Sequence, residues 1–396
     1  MSSFEDRQAG LAQTRNLKMA QSAHRYVRGS TTKFYEWLDG ASAKIPAGPA
    51  VWICGDCHIG NLGPLADAKG RVAIQIRDLD QTVIGNPVHD LIRLGLSLAS
   101  AARGSDLPGV MTAKILEELI AGYQSALADD FEDASDRSYR PKQIQRILSQ
   151  SVRRRWRHLA QERIEGVEPR IPLGKRFWAL TNEERAGIKS LFAEESARKM
   201  LTHLKGRDDK DPVKLVDAAY WVKGCSSLGR LRFAALARIG TGNATTFCLV
   251  DLKEAVPAAA PRNKSAKMPR DNAKRVVTGA QALSPHLGER MLAARLLDTA
   301  VVLRELMPQD VKLDIEHLNR EEATTIAHYL GGVVGRAHGR QLAKANRREW
   351  LTDLSKNHTK SIEAPSWLWT SVVELLSVHE VAYLEHCRRF AFAEAA

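Results

Sequence analysis

Residues 51–90 read VWICGDCHIGNLGPLADAKGRVAIQIRDLDQTVIGNPVHD in a chain of 396 residues. The apolar run at 51–53 leads into a loop of glycine, aspartate and histidine, and apolar residues alternate with others over 72–77, which predicts a strand. The sequence Gly85-Asn86-Pro87 predicts a turn, and the leucine spacing after it predicts a helix over 88–103. This stretch therefore predicts strand, loop, strand, loop and helix, with its acidic and amide side chains in the loops.

Those loops carry the residue types that phosphoryl transfer requires. Four residues separate Asp56 from Asn61, which is the spacing of a kinase catalytic loop. In such a loop one carboxylate accepts the proton of an attacking hydroxyl, while an amide oxygen and a second carboxylate hold magnesium. We therefore predict Asp56 as catalytic base and Asn61, Asp78 and Asp80 as magnesium ligands. Two surface loops of turn-forming residues are the alternative interpretation.

A second candidate segment covers residues 224–254. The sequence GCSSLG at 224–229 lies between two predicted strands, and Lys253 ends a third. A glycine loop lets backbone N–H groups approach phosphate oxygens closely, and a lysine at the end of such a strand can reach the phosphates of a nucleotide. A β-hairpin with a serine-rich turn and a surface lysine is the alternative. The predicted ATP-binding residues are Gly224, Ser226, Ser227, Gly229 and Lys253.

The loops of the first segment resemble those of aminoglycoside phosphotransferases and choline kinases. The matching residues are Gly55-Asp56-x-His58-x-x-Asn61, Asp78-x-Asp80 and Gly85-x-Pro87-x-x-Asp90-Leu91. The resemblance implies the same roles for Asp56, Asn61 and Asp78, and it implies that Asp90 braces the catalytic loop. One supporting position departs from the pattern, because Cys54 stands where those enzymes usually have histidine.

The order of the two segments is the reverse of that in ordinary kinases, where the glycine loop and lysine precede the catalytic loop. A helix over 326–338, with Gly331-Gly332-x-x-Gly335-Arg336-Ala337-His338, resembles the helix that leads into the catalytic loop, yet it comes near the C-terminus. A circular permutation would produce this order, and chains tolerate permutation when their joined ends lie close together on the surface.

The arrangement also resembles a bacterial family of unknown function, DUF2252, over nearly the whole chain. The resemblance extends beyond the two segments to Tyr26-x-Arg28-Gly29, to Arg275-Val276-Val277-x-Gly279-x-Gln281 and to Arg336-Ala337-His338. The family often has Asp-Phe-Asp-Glu where this chain has Asp78-Leu79-Asp80-Gln81, so the fourth acidic position is lost.

Together these features predict an α+β, protein-kinase-like, two-lobed fold that is circularly permuted. A large helical lobe with the catalytic and magnesium loops would begin in residues 1–210, a small antiparallel β lobe would cover 211–315, and helices in 316–396 would return to the first lobe. The glutamate that pairs with Lys253 stays open, with Glu289, Glu305 and the segment around Gln281 in competition.

Composition restricts the class of protein. The chain has 44% hydrophobic and 26% charged residues, which is ordinary globular composition. Five cysteines without framework spacing argue against a disulfide-built secreted protein. A polar start without an apolar stretch, and no run of about 18 apolar residues, predict a cytoplasmic protein without signal peptide or membrane span.

The resulting prediction is an enzyme that uses ATP and Mg²⁺ to transfer a phosphoryl group to a hydroxyl of a small molecule. AMP transfer and a nucleotide-binding pseudokinase remain alternatives within the same fold. The net charge of +12 and the basic run at 153–157 leave a nucleic-acid-binding protein as a further alternative, although the sequence has no recognised module for it. Membrane association is not expected, and the oligomeric state stays open.

Overall fold

The computed structural model describes residues 4–41, 45–105, 107–128, 140–154, 169–204, 206–223, 228–242, 245–311, 313, 319–356 and 364–390. The helices are α1 (Phe4–Ala20), α2 (Ala23–Gly29), α3 (Thr31–Ala41), α4 (Val88–Gly104), α5 (Val110–Ala128), α6 (Lys142–Arg153), α7 (Asn182–Ala193), α8 (Glu195–Thr202), α9 (Asn272–Leu283), α10 (Pro285–Gly288), α11 (Arg320–Gly339), α12 (Lys344–Leu354) and α13 (Ser366–Phe390). The strands are β1 (Val51–Ile53), β2 (Leu62–Ala66), β3 (Val72–Ile76), β4 (Val83–Gly85), β5 (Phe177–Trp178), β6 (Val213–Trp221), β7 (Arg232–Ile239), β8 (Thr246–Glu254), β9 (Met291–Leu296) and β10 (Thr299–Leu306). The predicted α+β class, with antiparallel sheets, is confirmed.

A six-stranded sheet occupies the middle of the chain, in the order β5-β6-β7-β8-β10-β9, and every neighbouring pair is antiparallel. Strands were expected at 220–222, 231–239 and 246–252, and strands occur at each place. The first, β6, is longer than expected, because a register shift between Leu215 and Asp217 breaks the alternation of its first half.

The sheet extends ahead of the predicted boundary at residue 210. Phe177 pairs with Trp221 across β5 and β6, and α7 and α8 supply buried residues such as Ile188 and Leu201 to a core under Phe233. Residues 177–202 therefore pack with the sheet, whereas the prediction grouped them with the first lobe. The division of the chain into lobes itself stays a prediction.

The largest core draws residues from both ends of the chain. Helix α4 is buried on nearly all sides, and α5, α11 and α13 pack around it with residues such as Leu119, Leu330 and Leu375. None of the described helices has both the length and the apolar character that crossing a bilayer requires. The two ends of the chain thus form one hydrophobic core that encloses α4.

Two small antiparallel sheets position the predicted loops. Strand β1 pairs with β4, with Ile53 opposite Val83, and β2 pairs with β3, with Leu62 opposite Ile76. Since residues 54–61 leave β1 and residues 77–82 join β3 to β4, both acidic loops start and end on paired strands. The pairing brings the two loops to the same side of these sheets.

Glycine allows α5 and α11 to approach each other closely. A Cβ atom at Gly331 would lie 2.1 Å from the carbonyl oxygen of Leu119, and one at Gly122 would lie 1.9 Å from that of His328. Real Cβ atoms do not approach backbone atoms so closely, so only glycine fits at these two positions. The Gly331-Gly332-x-x-Gly335 sequence is therefore in part a packing requirement of this helix pair.

We expect Gly331→Ala to lower the free energy of unfolding by about 2 kcal/mol, because the added methyl group must push the two helix backbones apart. The matched control is Gly332→Ala, where the added Cβ would have its nearest neighbour 3.5 Å away, an ordinary contact. That control should be neutral or gain up to about 1 kcal/mol from helix propensity. Urea denaturation of both variants checks this, and equal losses would contradict the packing explanation.

Candidate active site

Lys253 brings the two predicted segments together. Its Nζ lies 3.3 Å from each carboxylate oxygen of Asp78 and also forms an ion pair with Asp80. Asp78 follows β3, whereas Lys253 lies on β8, 175 residues further along the chain. The lysine predicted for the phosphates and two of the carboxylates predicted for magnesium thus occupy one site.

The face of the central sheet that carries Lys253 is polar at this end. In the strand register, Lys253 lies opposite Arg232 on β7 and Val302 on β10, and Asp251 lies opposite Arg304. Because side chains of directly opposed residues and of residues two apart share one face, all of these groups point to the same side. Three basic side chains and one acidic side chain therefore share the face that meets the loop after β3.

Burial and charge act against each other at this cluster. Burial by itself would lower the pKa of Lys253, but Asp78 and Asp80 outweigh it and raise the pKa. Burial would raise the pKa of Asp78, but Lys253 and Arg232 hold it well below its usual range. Burial and the neighbouring Asp78 charge raise the pKa of Asp80. One positive charge is thus shared between two carboxylates, and Asp78 is the more firmly ionised of them.

Asp56 lies in a buried polar pocket beside this cluster. One of its carboxylate oxygens accepts from the Thr31 hydroxyl at 2.9 Å, and the other accepts from Arg93 Nε at 2.9 Å. Burial is the largest influence and raises the pKa of Asp56, with Asp78 adding to the effect, while Arg93 and Thr31 oppose it. A raised pKa moves a carboxylate toward the working range of a general base.

The loop before Asp56 is held by Asp90, near the start of α4. Its two carboxylate oxygens accept the backbone N–H groups of Cys54 at 2.7 Å and Gly55 at 2.9 Å. Gly55 has a φ of 73°, and a Cβ atom there would lie 2.2 Å from the carbonyl oxygen of Gln81. Asp90 is fully buried, so it has the bracing position that the resemblance implied.

Asn61 lies beside the same loops. Its Nδ2 donates to the carbonyl oxygen of Asp56 at 2.9 Å, and its own carbonyl oxygen accepts from the backbone N–H of Arg77 at 2.7 Å. The second bond continues the β2–β3 ladder by one step, which places Asn61 next to the residue that precedes Asp78. The side-chain oxygen Oδ1 of Asn61 accepts no hydrogen bond from the described residues, so it remains available to a ligand.

The chain belongs to the bacterial family DUF2252. Its family model, described as "Uncharacterized protein conserved in bacteria (DUF2252)", matches residues 7–389. No curated protein and no solved structure matches the chain. The resemblance to this family is thereby confirmed, and the relation to kinases stays a prediction.

Three of the predicted glycine-loop residues of this DUF2252 protein, Gly224, Ser226 and Ser227, lie outside the described part of the chain. Gly229 is described, with a φ of 94° and open space where a Cβ atom would be.

A cavity of about 60 Å³ lies next to Lys253 and is lined by residues of the loop after β3, of β7, β8 and β10, and of α9 and α10.

The candidate partner glutamates do not reach Lys253. Glu289 accepts the backbone N–H of Ala68 at 3.1 Å, and Glu305 forms a bidentate ion pair with Arg207, with both oxygens at 2.8 Å. Asp78 and Asp80 are the carboxylates that pair with the lysine. The sequence did not predict this pairing. It also did not predict the contacts of Thr31 and Arg93 with Asp56, because nothing in the local pattern of α3 or α4 marks these two residues.

Two other features of the sequence have structural explanations. Cys54 and Cys57 are free and fully buried, so they belong to the core beneath the loop of residues 54–61. In the basic run, Arg154 donates from Nε to the carbonyl oxygen of Pro308 at 2.8 Å, while residues 155–157 lie outside the described part of the chain.

We expect Asp90→Asn to lower the free energy of unfolding by about 3 kcal/mol. An amide has one oxygen where the carboxylate has two, so its NH₂ group would face one of the two buried backbone N–H donors. The control is Asp209→Asn, an exposed position, which should leave stability unchanged. Denaturation in urea measures the difference, and superimposable curves would show that the loop does not depend on the Asp90 carboxylate.

The buried pair of Arg232 and Asp251 predicts a pH dependence of stability. Burial would raise the pKa of Asp251, but Arg232 outweighs it and lowers the pKa to about 2. Because the folded pKa is below that of the unfolded chain, the pair stabilises the fold above about pH 4, by about 2 kcal/mol, and this contribution is lost as the pH falls toward 2.

The free energy of unfolding of the wild type and of Asp251→Asn, measured from about pH 6 to pH 3, checks this. The advantage of the wild type should shrink by about 1 kcal/mol by pH 3. A gap that stays constant or widens on acidification would contradict the assigned direction.

Proposed function

We propose that this protein is a phosphotransferase that uses ATP and Mg²⁺ to phosphorylate a hydroxyl group of a small molecule, on a circularly permuted, protein-kinase-like fold of two lobes. The observation that carries the proposal is the contact of Lys253, from the central sheet, with Asp78 and Asp80, from the loop that follows the catalytic loop. A lysine on a sheet strand and a carboxylate after a catalytic loop are the two groups that kinases bring to the phosphates of ATP.

The donor set of the site fits magnesium. Mg²⁺ in nucleotide-dependent enzymes is held by one or two carboxylates together with phosphate oxygens, and here two carboxylates and the available amide oxygen of Asn61 lie on adjoining loops. Asp78, Asp80 and Asn61 would hold the ion, which neutralises charge on the transferring phosphoryl group. Among the described residues, no three histidine, cysteine or acidic side chains are arranged to hold a metal ion by themselves. In the proposal, oxygens of the nucleotide phosphates complete the coordination of the ion.

Asp56 is suited to the role of base. The Asp78 charge helps to raise its pKa, and Thr31 and Arg93 fix the orientation of its carboxylate. Asp56 would accept the proton of the acceptor hydroxyl. Lys253 would exchange its contacts with the two aspartates for contacts with phosphate oxygens of the nucleotide.

Hydrogen bonds between β1 and the end of α11 support the permutation. The Gln341 side chain accepts from the backbone N–H of Trp52 at 2.7 Å and donates to its carbonyl oxygen at 3.0 Å, across 289 residues of sequence. Gln341 follows α11, the helix that resembles the one leading into a kinase catalytic loop, and Trp52 lies on the strand that enters this loop. Helix α11 and strand β1 are therefore neighbours in space. In ordinary kinases the corresponding helix leads directly into the catalytic loop, so the two must also be neighbours there.

Lys253→Met and Asp78→Asn should each lower kcat/KM for ATP-dependent phosphorylation by about 10²-fold or more, because each removes charge at the transferring phosphoryl group. The matched control is Lys264→Met, an exposed lysine in the loop between β8 and α9, which should keep full activity. Transfer from ATP labelled at the γ-phosphate, with a library of hydroxyl-bearing metabolites as acceptors, measures the effect.

The same assay separates the alternatives. Transfer of label from the α-phosphate would indicate AMP transfer, and tight binding of ATP without any product would indicate a pseudokinase. Activity that survives both site substitutions would overturn the assignment of Lys253 and Asp78. Salt-dependent binding of RNA or DNA that persists in the Asp56→Asn variant would favour the nucleic-acid alternative.

A further inference from the structure

A second, much larger cleft lies on the helical part of the molecule. Its volume is about 520 Å³, which lies within the range of small-molecule sites in proteins. The residues that line it come from α3, from the segment after α3, from the end of α12 and from the start of α13, and they are Trp37, Ala41, Ile45, Pro46, Ala47, Asp353, Lys356, Ser366, Trp367, Thr370, Ser371 and Glu374.

The walls of this cleft combine two indole rings with a row of polar groups on one helix. Trp367, Thr370, Ser371 and Glu374 are spaced three and four residues apart on α13, so they lie on one face of it. Trp37 projects from α3 and is partly buried. Binding sites for small molecules typically have such apolar walls with a few convergent polar groups.

One buried group in the cleft lacks a protein partner. Trp367 is 6% exposed, and its indole N–H donates to no acceptor among the described residues. A buried N–H donor without a partner costs about 1–3 kcal/mol, so the Trp367 N–H identifies a place where an oxygen atom of a ligand would be favourable.

The charges of the lining leave one carboxylate without a counter-ion. Lys356 pairs with Asp353 at 2.6 Å, so these two neutralise each other. Glu374 is partly buried and has no basic partner within the described part of the chain. The described residues of the lining therefore carry a net negative charge next to two aromatic rings, which is a favourable environment for a cation.

We propose that this cleft is a binding site for a small organic cation that also carries hydroxyl or carbonyl oxygens. Its ammonium group pairs with Glu374, an oxygen atom accepts from the Trp367 indole N–H, and its carbon skeleton packs against the two indole rings. The proposal is independent of the phosphotransfer proposed above, because none of these residues belongs to the lysine–aspartate site.

Helix α3 connects this cleft to the catalytic loop. Its first half holds the loop, since the Thr31 hydroxyl donates to Asp56 and the Tyr35 hydroxyl donates to the carbonyl oxygen of Gly55 at 2.6 Å. Trp37 and Ala41, further along the same helix, line the cleft. The rise from Thr31 to Trp37 is about 9 Å along the helix axis, so an occupant would contact the element that positions Asp56.

The test compares three six-carbon polyols that differ in one group: glucamine with an amine, sorbitol without charge and gluconate with a carboxylate. Each is titrated into the full-length protein, and the Kd is measured by ligand-observed NMR. We expect saturable binding of glucamine, with sorbitol and gluconate weaker by about tenfold or more, since hydrogen bonds to a charged group are the strong ones.

Variants locate the binding. Glu374→Gln should weaken glucamine binding about tenfold, and Trp367→Phe, which keeps an aromatic ring but removes the N–H, about threefold to tenfold. The matched control is Glu385→Gln, an exposed carboxylate on the same helix that does not line the cleft, and it should bind as the wild type does. Lys253→Met should also bind normally, which separates this test from that of the phosphotransferase.

Several outcomes would overturn the proposal. These are the absence of saturable glucamine binding, equal binding of sorbitol, tighter binding of gluconate, and a Glu374→Gln variant whose Kd matches that of Glu385→Gln. Circular dichroism of each variant verifies that it is folded, and Glu374→Gln tests the partly exposed rim if Trp367→Phe is unstable.

Discussion

The buried carboxylate of Asp90 is the interaction on which the site depends. It accepts two backbone N–H groups of the loop of residues 54–61, and one of its oxygens lies 3.2 Å from His338 Nε2. His338 in turn accepts at Nδ1 from the Tyr123 hydroxyl at 3.0 Å, and Tyr123 accepts from the Trp350 indole N–H at 3.3 Å. With the His338 proton on Nε2, each donor in this series of hydrogen bonds has one acceptor. The loop is thereby fixed to α4, α5, α11 and α12 at once.

The second constraint is electrostatic, and it lies where the central sheet meets the loop after β3. The single positive charge of Lys253 lies between two partly buried carboxylates, those of Asp78 and Asp80. Burial and the neighbouring Asp78 charge raise the pKa of Asp80. A site with one excess negative charge is adapted to accept a cation, since burial makes uncompensated charge costly. The neighbouring pair of Arg232 and Asp251 is self-contained, so it supports the sheet without adding to the imbalance.

Close packing joins segments that lie far apart in the sequence. The core around α4 takes residues from both chain ends, and the glycines of α5 and α11 let the backbones of these helices nearly touch. The hydrogen bonds between Gln341 and Trp52 then join the end of α11 to β1. These contacts join parts of the molecule that lie 289 residues apart in the sequence.

The sequence by itself determined β1, β3 and α4 within residues 51–90, the Asp56 to Asn61 spacing, the strands around Lys253 and the α+β class. It did not predict β2, which contains Gly63 and Pro64, or β4, which has three residues. The predicted parts follow from periodicity and turn chemistry, which act over a few residues. Tertiary structure alone decided that Lys253 pairs with Asp78 and Asp80 rather than with a glutamate, that residues 177–202 join the sheet, and that α3 and α13 enclose a cleft. Such contacts link residues far apart in the chain, and their choice depends on how whole elements pack, which no local pattern records.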